Sequence, residues 1–243
     1  MTSATQSSST AARVGVLAVQ GDVREHIRVV ESLGGIASAV RRHSELDGLD
    51  GLIIPGGEST TMDKLTRAFE LAEPLRRMIR GGFPVYGSCA GMIMLADAIA
   101  DPSTDRQGNP QQTLGGLDIV VRRNAFGRQR ESFERDVEFA GLPGRGTNDG
   151  GAPVHAVFIR APWVESVGES VQILAQVEAG DTPPAEHGGA AGPEPHTVAR
   201  IVAVRSGNLL ATSFHPEVTG EHRIHELFLS MISERRATHV GAL

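Results

Sequence analysis

The sequence predicts an α/β protein built on a mixed, mainly parallel central sheet. Three observations support this. Short apolar runs without polar alternation recur through the first hundred residues, as expected for strands buried on both faces. Stretches of helical spacing separate them, so strand and helix alternate. In the second half the strand-like runs lie close together, which predicts some antiparallel pairing.

The elements follow in order. Val14 to Gln20 reads as the first strand. Arg24 to Leu33 carries Ile27, Val30 and Leu33 at helical spacing and closes on Gly34-Gly35. Ile36 to Val40 and Leu49 to Pro55 are the next strands. Thr60 to Arg80 is helical, broken or restarted at Pro74. Pro84 to Gly87 is a short strand, and Ala90 to Ala100 a helix directly after it. Leu117 to Arg122, Val154 to Ile159, Ile173 to Val177, Val198 to Val204 and Leu209 to Phe214 read as strands, and Glu221 to Arg236 as a closing helix. Residues 1–12 read as a disordered tail and 13–238 as one domain. Gly- and Pro-rich stretches at about 141–153 and 180–197 read as flexible surface insertions.

Composition narrows the function. The chain of 243 residues has a formal charge of −6 and no basic stripe, which argues against nucleic acid as the main partner. It holds one cysteine, Cys89, which excludes an internal disulfide and a multi-cysteine metal site. The first twelve residues lack the basic and apolar regions of a signal peptide. No apolar run approaches the roughly 18 residues of a membrane span. A soluble cytoplasmic protein is the default expectation.

Gly87-Ser88-Cys89-Ala90-Gly91 is the most informative stretch. It follows a strand, opens a helix and flanks a thiol with small residues, as a nucleophile elbow requires. The positive end of the helix favours a thiolate, and the Ala90 N–H is placed to help hold an oxyanion. Taken alone, the same residues also suit a buried structural cysteine.

Ser213-Phe214-His215-Pro216-Glu217 supplies a base. In extended backbone, residues two apart share a face, so Glu217 can orient His215 as the third member of a triad. The bland alternative is a loop histidine beside a solvated glutamate. The remaining histidines have no comparable setting.

Pro55-Gly56-Gly57-Glu58-Ser59-Thr60-Thr61 follows another strand. Its glycines can present N–H groups as a second oxyanion donor, and Glu58 and Ser59 can bind the amino-acid end of a substrate. The same segment is also a βα turn with Ser59 or Thr60 as helix cap. The arginines of Arg122 to Gln129, and Arg160 at the end of Val157-Phe158-Ile159-Arg160, are either carboxylate clamps or surface residues.

These stretches resemble the class I, or triad, glutamine amidotransferases, and more narrowly the glutaminase subunits of pyridoxal 5'-phosphate synthases. VGVLAVQGDVREH, LIIPGGESTTM, GSCAGMIMLA, RRNAFGRQRESFE, VFIRAP and SFHPEVTGEHRIHELF carry the likeness from Val14 to about Phe228. The resemblance implies a three-layer α/β/α, flavodoxin-like fold with Cys89, His215 and Glu217 as the triad. It implies glutamine binding by Gly57, Glu58, Ser59, Arg123, Ile159 and Arg160, and an oxyanion hole at Gly57 and Ala90. It further implies hydrolysis of glutamine through a cysteine γ-glutamyl thioester. The ammonia would pass to a (β/α)8-barrel partner subunit that makes pyridoxal 5'-phosphate from ribose 5-phosphate and glyceraldehyde 3-phosphate. This chemistry requires no cofactor or metal.

Three rival readings stand beside it. One is a glutaminase subunit of another biosynthetic pathway, such as histidine or purine synthesis. Another is a stand-alone γ-glutamyl hydrolase. The third is a non-enzymatic binding or redox-sensing module that uses Cys89.

Overall fold

The first strand, β1 (Arg13–Leu17), lies between β2 (Ile36–Val40) and β3 (Gly51–Ile54), and both pairings are parallel. The computed structural model describes residues 11–123, 132–142, 152–178 and 199–240. Next to β3 runs β4 (Val85–Ser88), and next to that β12 (Leu209–Thr212), again parallel. Five adjacent parallel strands thus form one half of a ten-stranded sheet. The other half is mainly antiparallel, with one parallel pair, β5 with β6, at its edge. It comprises β11 (Arg200–Ser206), β9 (Trp163–Val167), β6 (Leu117–Arg122) and β5 (Ala96–Ile99), with β10 (Gln172–Val177) paired to β11. A separate antiparallel hairpin joins β7 (Ser132–Val137) to β8 (Val154–Ile159).

Alternating side chains on the parallel strands feed two cores. Leu52, Ile54, Val85 and Ala211 pack on one face with Met62, Leu75 and Met92. These come from α2 (Ser59–Ala68), α3 (Ala72–Arg80) and α4 (Ala90–Leu95). Val14, Val16, Ile53, Tyr86 and Leu210 face the other way, against Val30 of α1 (Val23–Ser32) and Ile224, Phe228 and Ile232 of α6 (Arg223–Val240). Two buried faces explain the unbroken apolar runs and make the three layers. No helix among the described residues is long and apolar enough to cross a membrane.

Several expectations need correction. The helix expected to run to Ala100 ends at Leu95, and Ala96 is already extended at φ −62°, ψ 145°. Residues 96–99 instead pair in parallel with β6. A short apolar run does not distinguish helix from buried strand by periodicity. The helical stretch over 60–80 breaks at Glu70, φ +58°, and Pro74 falls in the first turn of α3, where a missing N–H costs nothing. Strands β7 and β9 were not expected, because charged residues interrupt them. Glu217 lies in the first turn of a short helix, α5 (Pro216–Thr219), rather than in extended chain. The tail residues 1–10, the stretch 124–131, and most of both insertions (143–151 and 179–198) lie outside the described residues.

Candidate active site

Four loops leave the carboxyl ends of β1, β3, β4 and β12, which are neighbours in the sheet. Chain direction away from β1 reverses between β2 and β3, and crevices for ligands form at such points. The loops line a pocket of about 320 Å³. Gln20 and Asp22 come from the first, Gly57, Glu58 and Ser59 from the second, Cys89 and Ala90 from the third, and His215 from the fourth. Arg123 follows β6, while Ile159 and Arg160 end β8. Every residue proposed from the sequence as substrate or oxyanion contact therefore lines one pocket.

Cys89 sits between β4 and α4 at φ +49°, ψ −102°, a conformation that L-residues rarely adopt. Its N–H donates to the Thr212 carbonyl at 2.8 Å, which ties the elbow to β12. The turn needs glycine nearby, since a Cβ on Gly91 would lie 2.1 Å from the Ile54 carbonyl oxygen. The thiol contacts the Ile159 carbonyl oxygen at 3.8 Å.

His215 Nδ1 donates to Glu217 Oε1 at 2.8 Å, and both residues are buried. Pro216 at the first helical position and His215 as N-cap place Glu217 back beneath the imidazole. The pairing expected from sequence is present, but a helical turn makes it. Asp22 adds a second carboxylate, 3.4 Å from Nδ1. Burial alone would lower the proton affinity of His215. Hydrogen bonds to Asp22, Cys89 and Glu217 outweigh it and push the pKa up to about 12. At neutral pH the imidazole therefore holds its proton beside the thiol. Burial raises the Glu217 pKa while His215 opposes that. Asp22, His215 and Glu217 bring potential metal-ligand atoms within 4.8 Å of one another, but a hydrogen bond already accounts for the short Nδ1–Oε1 separation.

Glu58, rather than Ser59 or Thr60, caps α2. Its carboxylate accepts from the N–H groups of Thr60 at 3.2 Å and Thr61 at 2.7 Å, and from both threonine hydroxyls. Partial burial raises its pKa, yet these bonds bring it down to about 2. Arg123 Nη2 donates to Glu58 Oε1 at 3.3 Å, and its Nη1 donates to Ser103 Oγ. Gln20 Oε1 accepts from the Glu58 N–H at 2.7 Å and pins the loop. Close approach also governs Gly56, where a Cβ would lie 2.2 Å from His215 Cε1.

Sequence reasoning missed Gln20, Asp22 and the buried pair His26 and His225. The first two could have been found, because they follow directly on a predicted parallel strand, where such folds bind ligands. His26 and His225 lie 199 residues apart and carry no local signal.

A thiol on such an elbow, beside a carboxylate-held imidazole at the carboxyl edge of two adjacent parallel strands, matches what was expected of a triad glutamine amidotransferase. The chain belongs to the SNO glutamine amidotransferase family, whose profile matches residues 16–234. It is 69% identical over 220 residues to the pyridoxal 5'-phosphate synthase subunit PdxT of Arthrobacter sp. (strain FB24), covering 90% of this chain and 92% of that one. It is 67% identical, at the same coverage, to the subunit of that name from Pseudarthrobacter chlorophenolicus. Among solved structures it resembles a glutamine amidotransferase at 41% identity and TM-score 0.72, covering 90% of this chain and 98% of the other.

Proposed function

We propose that the chain is the glutaminase subunit of a pyridoxal 5'-phosphate synthase. It would hydrolyse glutamine to glutamate and pass the ammonia to a partner synthase subunit. The observation that carries this reading is the convergence of Cys89 and His215, the latter held by buried Glu217, on a pocket that also holds acidic and basic side chains. Asp22 and Glu58 beside Arg123 and Arg160 suit the ammonium and carboxylate of a free amino acid. High identity to the two PdxT subunits favours this pathway over histidine or purine synthesis.

Glutamine binds with its amino-acid end among Gly57, Glu58, Ser59, Arg123, Ile159 and Arg160. With His215 protonated, Cys89 reacts as the thiolate: its sulfur attacks the side-chain amide carbon, and N–H groups at Gly57 and Ala90 hold the oxyanion. The proton on His215 goes to the leaving nitrogen as the C–N bond breaks, and ammonia departs. His215 then takes a proton from water, which attacks the γ-glutamyl thioester and releases glutamate. Residues 13–238 act as one amidotransferase domain in the cytoplasm. The partner is a (β/α)8 barrel that consumes ammonia with ribose 5-phosphate and glyceraldehyde 3-phosphate.

Glutamate release, measured with and without the synthase subunit, tests this. Wild type should turn over with the partner, and Cys89→Ala should not. Absence of glutamate under both conditions would refute the proposal. Equal, robust turnover without the partner would support a stand-alone hydrolase instead.

A further inference from the structure

Next to the triad, outside the pocket lining, two imidazoles lie fully buried: His26 of α1 and His225 of α6. His26 Nε2 is 3.1 Å from Ser88 Oγ and 3.5 Å from Glu217 Oε1, and its Nδ1 is 2.9 Å from His225 Nε2. One ring thus reaches both the residue before the nucleophile and the carboxylate that faces the base. Tyr86 packs edge-on against both rings, with centroids at 6.1 and 5.6 Å. Its hydroxyl is fixed to Thr212 Oγ1 at 2.9 Å.

Both rings are neutral. Burial, then the neighbouring histidines, hold His26 well below the ordinary range, and burial pushes His225 down to about 3. Neutral rings allow two proton arrangements. In the first, His225 Nε2–H donates to His26 Nδ1, and His26 Nε2–H points at Ser88 Oγ and Glu217 Oε1. In the second, His26 Nδ1–H donates to His225. That turns a bare Nε2 lone pair toward the Glu217 carboxylate and leaves an N–H on His225 Nδ1. This atom is buried without a hydrogen-bond partner among the described residues. An unpaired buried N–H is rarer and costlier than an idle lone pair, and a lone pair facing a carboxylate repels it. Both considerations favour the first arrangement.

We infer that His26 is a positioning residue for the triad, its Nε2–H bonded to Ser88 Oγ at the start of the nucleophile turn and lying 3.5 Å from the Glu217 carboxylate. The kinetic part of this inference rests on the glutaminase reading; the tautomer does not. Two-bond ¹H–¹⁵N correlation spectra of the labelled chain report the proton position on each imidazole. The expected result is a neutral His26 protonated at Nε2, and protonation at Nδ1 would overturn the assignment.

Kinetics on the complex with the synthase subunit give the second readout. His26→Leu should lower kcat on the order of 10- to 100-fold, the usual effect of removing an outer hydrogen-bond partner. KM for glutamine should stay unchanged. His26→Gln, whose amide restores an N–H toward Ser88 and Glu217, should recover most of kcat. Equal losses in the two variants, or a raised KM with kcat intact, would refute the role. Should His26→Leu fail to fold, His26→Gln at near wild-type kcat supports the role, and a Gln variant as impaired as Cys89→Ala contradicts it. Failure of the glutaminase reading looks different: wild type then releases no glutamate, whatever the tautomer at His26.

Discussion

His215 is where burial and charge oppose each other most directly. Two carboxylates and a thiol keep its proton in place against desolvation, so its orientation and charge depend on Glu217. A carboxamide there can offer an N–H where an acceptor is needed and force the wrong tautomer. Glu217→Gln should therefore cut kcat by roughly 10³- to 10⁴-fold with the fold intact, as read from glutamate release and circular dichroism. Crowding the ring should also be damaging. Gly56→Ala places a methyl where His215 Cε1 sits, and a shift of about 1 Å costs on the order of 100-fold in rate. That Cys89, His215 and Glu217 would lie together was legible in the sequence, because a small-residue turn and a His-Pro-Glu stretch each follow a predicted strand. Asp22 was legible only as a loop residue after a parallel strand; its approach to His215 was not, because only packing brings the β1 loop there.

Helix α2 starts at the pocket, and Glu58 serves it twice, as cap and as pocket wall. Glu58→Ala should destabilise the fold by about 1 kcal/mol, as for other lost caps, measured as a fall in Tm. The pH dependence follows from the depressed pKa. Folded Glu58 titrates near 2 against an ordinary 4.5, so its carboxylate contributes in full above about 4.5. That contribution fades as pH falls toward 2. Stability curves of wild type and Glu58→Gln should accordingly run parallel above pH 4.5 and converge below it. The cap was half legible: the βα turn was read correctly, but shorter polar residues were favoured for the role. Strands β5, β7 and β9 were hidden for other reasons. Periodicity left β5 ambiguous, and charged residues on the exposed faces of β7 and β9 masked their alternation.

In the whole molecule, one sheet carries both halves of the chain, and the site forms where its four central loops meet. Of the parallel half, β1 to β4 were legible from the strand–helix alternation of the first hundred residues, whereas the insertion of β12 beside β4 was not. Nor was the order of the antiparallel half, because partners such as β6 and β9 are chosen by tertiary packing. Removing Asp181 to Glu194, a segment outside the described residues, should leave glutaminase activity largely intact, because it contains none of the proposed site residues. Loss as deep as that of Cys89→Ala would place the segment in the site. In the proposed reaction glutamine is opened through a thioester on Cys89. Rapid acid quench of the complex during turnover, followed by mass analysis of the peptide that contains Cys89, tests it most directly. Wild type should carry one γ-glutamyl group on Cys89, and Cys89→Ala none. An unmodified Cys89 peptide during steady glutamate release, or a γ-glutamyl group on another residue, would contradict the thioester.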